Sequence, residues 1–209
     1  YTGMQSEIES IKRLKNPKFK VSCHYLINRK GKIIQMVKDK YIAWHAGKSR
    51  WKQFKNLNKN SIGIELVNKG HQFGYQNFSS NQVKSLIKLC KYLKKKYSIK
   101  KEDFLGHSDI APLRKIDPGE KFPWKKLSAH NIGNWYKEKR TAFIVPDFKK
   151  IEILFFKNLK KLGYRYLSSH NSKIKNKLVI KSFQQRYTPK KVTGKIDEKT
   201  YKISHFLAS

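Results

Sequence analysis

The amino-acid sequence predicts an α/β domain, in which helices flank a central mixed β-sheet, followed by a small all-α domain of three helices. Three observations support this prediction. Runs with the alternation of β-strands occur between residues 21 and 67, an amphipathic helical pattern follows at 79–97, and three helical segments occupy the last part of the chain. Strands and helices mixed in this order are typical of layered α/β structures.

The first third of the chain contains the predicted strands. A short amphipathic helix over 4–14 precedes them and ends before Asn16-Pro17, because the residue before a proline disfavours the helical conformation. The extended runs cover 21–27, 32–37, 41–46 and 61–67. A turn at 28–31 joins the first two into a predicted hairpin. Residues 48–60 are polar, basic and aromatic, and we expect them to form a surface loop.

A longer helix is predicted to begin at Ser79. Ser79 and Gln82 have the spacing of a capping box, in which each side chain bonds the backbone of the other residue. The apolar positions that follow the helical period are Val83, Leu86, Ile87, Cys90, Leu93 and Tyr97. Cys90 is therefore expected to be a buried free thiol, and with Cys23 it has no metal-type spacing.

The segment from Phe104 to Trp124 contains several candidate catalytic side chains. Its prolines and glycines predict a long ordered loop without a helix or a continuous strand. Loops of this length in compact domains are usually functional or disordered, and this one has enough apolar residues to be held in place. It would present the imidazole of His107, the ammonium group of Lys115 and the carboxylate of Asp117.

The chain carries a formal net charge of +34, which suggests anionic partners such as nucleic acid, an anionic membrane surface or an acidic cell-wall polymer. Arginine, which base and phosphate readers favour for its bidentate geometry, occurs at only seven positions. The lysines are spread along the whole chain, so they are more simply interpreted as ordinary surface residues. No apolar run approaches the ~20 residues of a transmembrane helix.

Glu65 lies in the most strand-like run of the sequence, Ser61 to Val67. Alternation places Glu65 between apolar neighbours, where an unpaired charge is costly to bury. Such a glutamate usually has a cation, a metal-bound water or a raised pKa. The alternative is a structural ion pair with a lysine, which the lysine-rich composition makes equally reasonable from this strand alone.

Two further histidines are candidates for a site. His24 lies in the first predicted strand and His45 follows Trp44, and each alone is more readily structural than functional. With His107 and Asp117 they supply the nitrogen and oxygen donors that zinc prefers. No pair has the short spacing of a helical zinc motif, so a metal would have to be bound by separate elements.

Several motifs together resemble the zinc-dependent N-acetylmuramoyl-L-alanine amidases of type 2, a family that includes phage lysozyme-type amidases and has the peptidoglycan recognition proteins as relatives. The motifs, in chain order, are Cys23-His24-Tyr25-Leu26-Ile27, Ala43-Trp44-His45-Ala46-Gly47, Asn58-x-x-Ser61-Ile62-Gly63-Ile64-Glu65, His107-Ser108-Asp109-Ile110-Ala111-Pro112, Arg114-Lys115-x-Asp117-Pro118-Gly119 and Phe122-Pro123-Trp124. This resemblance covers residues 1 to about 127 and implies one zinc ion.

The resemblance also implies a domain organisation. Residues 1–127 would form the amidase domain and 128–147 a linker that packs through Ile132, Trp135 and Phe143. Residues 148–209, with helices at about 148–162, 174–187 and 197–208, resemble the small three-helix peptidoglycan-binding domain often joined to such enzymes.

The resemblance assigns a role to each candidate residue. His107 and Asp117 would be zinc ligands, and the remaining protein ligand is expected immediately upstream of Tyr1, at the end of a first core strand. Glu65 would accept and pass on a proton, and Lys115 would stabilise an oxyanion. The residues expected to line the substrate site are His24, Trp44, His45 and Asn58.

The implied function is hydrolysis of the amide bond between N-acetylmuramic acid and L-alanine in peptidoglycan or muropeptides. The alternatives are a peptidoglycan recognition protein without catalysis and, from charge alone, a binder of anionic polymers such as nucleic acid. No specific nucleic-acid partner is expected, although the basic surface could attract anionic envelope components. The expected location is the bacterial cell envelope, either periplasmic or membrane-anchored through an upstream segment.

Overall fold

The computed structural model describes residues 1–137, 146–167 and 173–209. Its backbone packing forms two compact units. Unit 1 consists of Tyr1–Ser49, Lys55–Lys100 and Lys121–Pro123. Unit 2 consists of Arg50–Phe54, Lys101–Glu120 and Trp124–Ser209. The segment with His107, Lys115 and Asp117 thus belongs to the same compact unit as the C-terminal helices.

The strands are short and most of the helices are long. The strands are β1 (Tyr25–Ile27), β2 (Ile33–Gln35), β3 (Arg50–Trp51), β4 (Phe54–Lys55) and β5 (Ile64–Leu66). The helices are α1 (Glu7–Lys15), α2 (Ser80–Lys96), α3 (His107–Ile110), α4 (Trp124–Ser128), α5 (Phe148–Leu162), α6 (Lys173–Tyr187) and α7 (Glu198–Ala208). None of these helices, within the ranges that the structure describes, is long and apolar enough to traverse a bilayer.

Unit 1 contains the predicted mixed sheet, with strand order β2-β1-β5. β1 pairs antiparallel with β2 and parallel with β5, which places Leu26 opposite both Ile34 and Glu65. Regular pairing starts only at Tyr25 because the backbone nitrogens of His24 and Tyr25 both donate to the carbonyl oxygen of Gly63. This shared acceptor explains why β1 and β5 are shorter than the extended runs in the sequence.

Helix α2 is fastened to the sheet by the buried side chain of Gln82. The capping box predicted at its start is confirmed, since Ser79 Oγ accepts from Gln82 N and Gln82 Oε1 accepts from Ser79 N. The amide nitrogen of Gln82 also donates to the carbonyl oxygens of Ile27, at 3.2 Å, and Val67, at 2.9 Å. One side chain therefore forms hydrogen bonds with backbone groups at the start of α2 and at the ends of β1 and β5.

The carboxylate of Asp39 joins the sheet to the other end of α2. It accepts hydrogen bonds from the hydroxyls of Tyr25 and Tyr97, at 2.6 and 2.8 Å, and from Lys96 Nζ at 3.0 Å. Burial would raise the pKa of Asp39, but these three donors outweigh it and lower the pKa to about 2. The ionised form is therefore the one that the fold stabilises.

The three predicted C-terminal helices are confirmed as α5, α6 and α7 in unit 2. Their core contains Phe155, Leu159 and Phe183, and the rings of Phe155 and Phe183 meet edge to face at 5.3 Å. In the segment before them Ile132 is buried and the ring of Trp135 lies 5.7 Å from that of Tyr187. The predicted packing residue Phe143 lies outside the described residues.

Three local predictions were wrong. Residues 41–46 do not form a regular strand, and residues 50–55 form the hairpin β3–β4 rather than a loop. The segment from Phe104 to Trp124 contains the four-residue helix α3, His107–Ile110. This helix fits between Gly106 and Pro112 because it includes no proline. Asp109 closes the first turn of α3 by accepting from Gly106 N at 2.8 Å.

Replacing Gln82 by leucine is expected to lower the free energy of unfolding by roughly 2–3 kcal/mol, because it removes the buried side-chain donor to the carbonyl oxygen of Val67 and one of the two donors to that of Ile27. Chemical denaturation of the full chain measures this change. Lys88→Ala, at an exposed position of the same helix, is the matched control and should change the value by less than about 0.5 kcal/mol. Equal effects of the two substitutions would contradict the role of Gln82.

The Asp39 cluster predicts a component of acid denaturation. Because the folded pKa of Asp39 is depressed to about 2, its contribution is complete above the unfolded value of about 4 and is lost as the pH falls towards 2. The stability difference between the parent chain and Asp39→Asn should therefore shrink over that interval. Asp103→Asn is the control, because it removes a more exposed carboxylate that forms an ion pair with Lys52. Its stability difference from the parent chain should stay small over the same pH interval.

Candidate active site

Unit 2 brings together two of the predicted metal ligands. His107 is the first residue of α3, and its Nδ1 lies 3.2 Å from Oδ2 of Asp117. The backbone nitrogen of Ser108 donates to the carbonyl oxygen of Asp117 at 2.8 Å, and this bond closes the intervening loop. Both side chains are 14% exposed, so they lie near the surface but are largely desolvated.

The carboxylate of Asp117 is stabilised in its charged form. Burial would raise the pKa of Asp117, but the hydrogen bond from His107 and the positive charge of Lys115 outweigh it and hold the pKa well below its usual range. Lys115 is half-buried, and its backbone nitrogen donates to the carbonyl oxygen of Ala111. The loop therefore holds a carboxylate and a cation close together.

The two donors fit zinc chemistry. An imidazole nitrogen and a carboxylate oxygen are ordinary zinc ligands, and tetrahedral bonds of about 2.0–2.1 Å place neighbouring ligand atoms about 3.4 Å apart. The observed separation of 3.2 Å between His107 and Asp117 is close to that value. Within residues 1–137, 146–167 and 173–209, no group of three or more His, Cys, Asp or Glu side chains is arranged to hold a metal ion.

Sequence reasoning did not select Arg114 as a site residue. Its guanidinium Nη2 lies 3.4 Å from Nε2 of His107. Because a guanidinium can only donate, this contact requires Nε2 to accept and is consistent with Nδ1 donating to Asp117. Arg114 appeared in the sequence only as part of a family motif, and no periodicity or spacing indicated that it would reach the imidazole.

Glu65 lies in the middle of β5 in unit 1, and its side chain is 18% exposed. Its Oε2 atom lies 3.2 Å from the backbone nitrogen of Tyr1, while the Thr2 nitrogen donates to the carbonyl oxygen of Leu66. No lysine among the described residues forms an ion pair with Glu65. The structural lysine pair considered as an alternative is therefore not the arrangement that this unit adopts.

The two cysteines are buried and form no disulfide. Burial, followed by the negative charge of Glu65, raises the pKa of the Cys23 thiol well above its usual range. Burial alone raises the pKa of Cys90 to about 12. Because the thiolate is the reactive form, neither cysteine has the character of a nucleophile.

His24 is buried among backbone groups of unit 1. Its Nδ1 lies 3.0 Å from the nitrogen of Gly63, and its Nε2 lies 3.0 Å from the carbonyl oxygen of Tyr41. Since Nδ1 must accept and Nε2 must donate, these bonds fix a neutral tautomer. The imidazole thus connects the start of β5 to the segment around Tyr41. Direct contact of His24 with the substrate stays a prediction.

The other candidate site residues in unit 1 lie at one turn, which side-chain hydrogen bonds hold in place. Asn58 Oδ1 accepts from the backbone nitrogens of Ala46, at 2.7 Å, and Gly47, at 3.3 Å. His45 is half-buried, and its Nε2 lies 3.3 Å from the carbonyl oxygen of Ser61. The side chain of Trp44 is exposed. Asn58 and His45 therefore hold the turn that presents the Trp44 indole to solvent.

Comparison with known proteins identifies the class. A family model described as N-acetylmuramoyl-L-alanine amidase matches residues 1–120, more than half of the chain and the range that contains all eight predicted site residues. The chain therefore belongs to the N-acetylmuramoyl-L-alanine amidase family, and the resemblance seen in its motifs is confirmed.

Individual relatives extend the likeness beyond that range. The amidase AmiD of Escherichia coli K12 is 35% identical over an alignment that covers 90% of this chain and 73% of that protein. A structure of E. coli AmiD with the substrate anhydro-N-acetylmuramic acid-L-Ala-D-γ-Glu-L-Lys has a TM-score of 0.87 at 32% identity, over 99% of this chain and 85% of that one. AmpDh3 of Pseudomonas aeruginosa, in complex with anhydromuramic pentapeptide, has a TM-score of 0.87 at 29% identity, over 99% and 88% of the two chains. The predicted fold class is confirmed.

The turn around His45 depends on the absence of a side chain at residue 63. A Cβ atom at Gly63 would lie 2.2 Å from Cγ and 2.6 Å from Cβ of His45, too close for a rotation of the ring to relieve. Gly63→Ala is therefore expected to lower the free energy of unfolding by roughly 1–3 kcal/mol. The same substitution in a His45→Gly background should cost clearly less, which a double-mutant cycle by denaturation measures. Additive costs would contradict the contact.

Proposed function

We propose that this chain hydrolyses the amide bond between N-acetylmuramic acid and L-alanine in peptidoglycan or muropeptides, with one zinc ion bound by His107 and Asp117. The observation that carries the proposal is the 3.2 Å donor pair of an imidazole nitrogen and a carboxylate oxygen within the family match. The relatives solved with anhydromuramyl peptides support the substrate class.

His107 and Asp117 would hold the zinc ion, which when bound supplies Lewis-acid polarisation and lowers the pKa of an attacking water. The depressed pKa of Asp117 keeps its carboxylate ionised, as a ligand must be. The third protein ligand is the one expected upstream of Tyr1.

Glu65 acts in this proposal as the general base and acid. Its carboxylate accepts a proton from the attacking water and transfers it to the nitrogen of the leaving amine. Three features suit this role: the side chain is only 18% exposed, it has no lysine partner among the described residues, and β5 fixes its backbone.

Lys115 acts in this proposal on the charge that develops at the carbonyl oxygen. As water attacks, that oxygen becomes an oxyanion, and a cation positioned beforehand stabilises it without reorganisation. Arg114 lies beside the imidazole of His107, with Nη2 3.4 Å from Nε2, and receives no role in the chemical step.

Trp44, His45, Asn58 and His24 form the proposed substrate side of unit 1. The exposed indole of Trp44 offers an apolar face to the sugar or the peptide stem, and Asn58 holds the turn behind it. His45 would line the same surface, and His24 would support it through the backbone at Gly63. The role of these four residues is orientation rather than proton transfer.

The remaining assignments concern location and the end of the chain. We place the protein in the bacterial cell envelope, periplasmic or anchored through an upstream segment, because the related amidases act on muropeptides. Residues 1–127 would be the amidase domain and 148–209 a peptidoglycan-binding-like domain, joined by 128–147. The net charge of +34 would add attraction to anionic wall or membrane components.

The roles of the site residues predict separable effects. In a chain extended upstream of Tyr1, Glu65→Gln should lower kcat on a muropeptide by at least about 100-fold and leave zinc affinity nearly unchanged, because it removes proton transfer alone. Lys115→Ala should lower kcat by about 100- to 1,000-fold with a smaller effect on KM. His107→Ala should weaken zinc binding itself. Chromatography of the released peptide and calorimetric zinc titration measure these quantities.

Lys88→Ala, on the exposed face of α2, is the control for a general effect of altered surface charge. Full activity in both Glu65→Gln and Lys115→Ala would refute the assignment of roles. Tight binding of muropeptide without turnover by the extended chain would favour the recognition protein over the enzyme. Binding that weakens steeply with salt and does not distinguish muropeptide from nucleic acid would favour an anionic-polymer binder.

A further inference from the structure

The short helix α3, which begins at His107, is bonded to the C-terminal helices of the same compact unit. Tyr164, just after α5, donates its hydroxyl to Asp109 Oδ1 at 2.7 Å. Arg186 of α6 donates from Nη1 to Asp109 Oδ2 at 2.6 Å. Ser182, one turn earlier in α6, donates from Oγ to the carbonyl oxygen of Ser108 at 2.8 Å. Three side chains from the C-terminal part of the chain thus contact the two residues that follow His107.

These contacts are buried, so their geometry is specific. Asp109 and Tyr164 are each 2% exposed, Arg186 is 4% exposed and Ser182 is 2% exposed. Hydrogen bonds to a charged group in a water-excluded site are shorter and stronger than those between neutral exposed groups. A buried carboxylate left without its partners would be strongly unfavourable, so Asp109 and its partners are expected to keep this arrangement.

Helix α3 requires support of this kind. It has only four residues, and a helix of that length does not persist without tertiary contacts. Asp109 Oδ2 also accepts from the backbone nitrogen of Gly106, the residue immediately before His107. The carboxylate that Tyr164 and Arg186 hold is therefore the group that fixes where α3 starts and, with it, the backbone direction at His107.

Arg186 is itself held from several sides. Its Nη2 donates to the carbonyl oxygen of Phe104 at 3.2 Å, and its guanidinium lies 3.8 Å from the ring centre of Trp124. A cation over an indole face is a favourable contact that also limits rotation. Phe104 and Asp109 lie on the two sides of His107 in sequence, so Arg186 bonds the backbone before that residue and a side chain after it.

The same contacts reach the second proposed ligand. The backbone nitrogen of Ser108 donates to the carbonyl oxygen of Asp117, while its carbonyl oxygen accepts from Ser182. The peptide groups around Ser108 thus connect α6 to Asp117. A shift of α6 would therefore move both proposed zinc ligands, His107 and Asp117.

We propose that Tyr164, Ser182 and Arg186 are positioning residues for the metal site, so that the C-terminal helices set the geometry of His107 and Asp117 in addition to any affinity for the cell wall. The proposal rests on the proposed function, because it concerns the same two ligands. The backbone packing that unites residues 101–120 with 124–209 supports it independently. A helical appendage that served only to bind the wall would have no need for buried bonds to these residues.

The test uses Tyr164→Phe and Ser182→Ala in the full chain, because each removes one hydroxyl and keeps the packing nearly unchanged. We expect zinc affinity, measured by competition with a chelator, to fall by about 10- to 100-fold in the double variant, as is typical when groups behind a ligand are lost. We also expect faster amide hydrogen exchange at Ser108 and Ala111 in the metal-free chain. With zinc at saturation, kcat should fall more than KM changes.

Ser204→Ala is the matched control. It removes the buried contact from Asn158 Nδ2 to Ser204 Oγ at 3.2 Å, between α5 and α7, and touches no residue of α3. It should lower thermal stability while leaving zinc affinity and the exchange at Ser108 unchanged. Arg186→Lys, which keeps the charge but loses the two-sided clamp, should resemble the double variant.

Two results would overturn the proposal: unchanged zinc affinity and exchange in the double variant, or an equal loss of zinc affinity in Ser204→Ala. If the parent chain, extended upstream of Tyr1, binds no zinc and leaves muropeptide intact, the proposed function fails. The exchange at Ser108 and Ala111 in the metal-free chain then still decides whether the C-terminal helices hold α3. The two failures are therefore distinguishable.

Discussion

The buried carboxylate of Asp109 is the point on which the arrangement of unit 2 depends. It accepts from Gly106, Tyr164 and Arg186, so one side chain defines the start of α3, the end of α5 and the position of α6. Its desolvation is compensated only because all three donors are present together. The close approach of His107 and Asp117 follows from this constraint. His107 is the first residue of α3, whose position Asp109 fixes, and the next residue, Ser108, bonds the backbone of Asp117.

Unit 1 reaches rigidity by a different route. Its three paired strands contain only three residues each, too few for backbone hydrogen bonds alone to define the sheet firmly. Polar side chains supply the missing constraints, because Gln82 bonds the ends of β1 and β5, His24 bonds the backbone at Gly63, and Asn58 bonds the turn after Trp44. Glu65 therefore lies on a short strand whose position is fixed largely by amides and an imidazole.

Features set by neighbouring residues could be predicted from the sequence, whereas those set by distant residues could not. The capping box of α2 depends on Ser79 and Gln82, three positions apart, and was predicted correctly. Helix α3 was missed because its stability comes from Arg186, 77 positions away from Asp109. Family motifs indicated His107, Lys115 and Asp117 as site residues, but no pattern in the chain revealed the contact of Arg114 with His107.

The contacts of Ser182 and Arg186 have a consequence for how such a chain could diverge. A terminal domain joined only by a flexible linker can be exchanged or lost by recombination at little cost to its neighbour. Here an exchange of α6 for a helix without matching groups would leave the buried carboxylate of Asp109 without the positive charge of Arg186, so the hybrid would fold poorly. The segment that contains α3 and the C-terminal helices are therefore expected to evolve together. A substitution at Asp109, Tyr164 or Arg186 would require compensating substitutions at the other two positions.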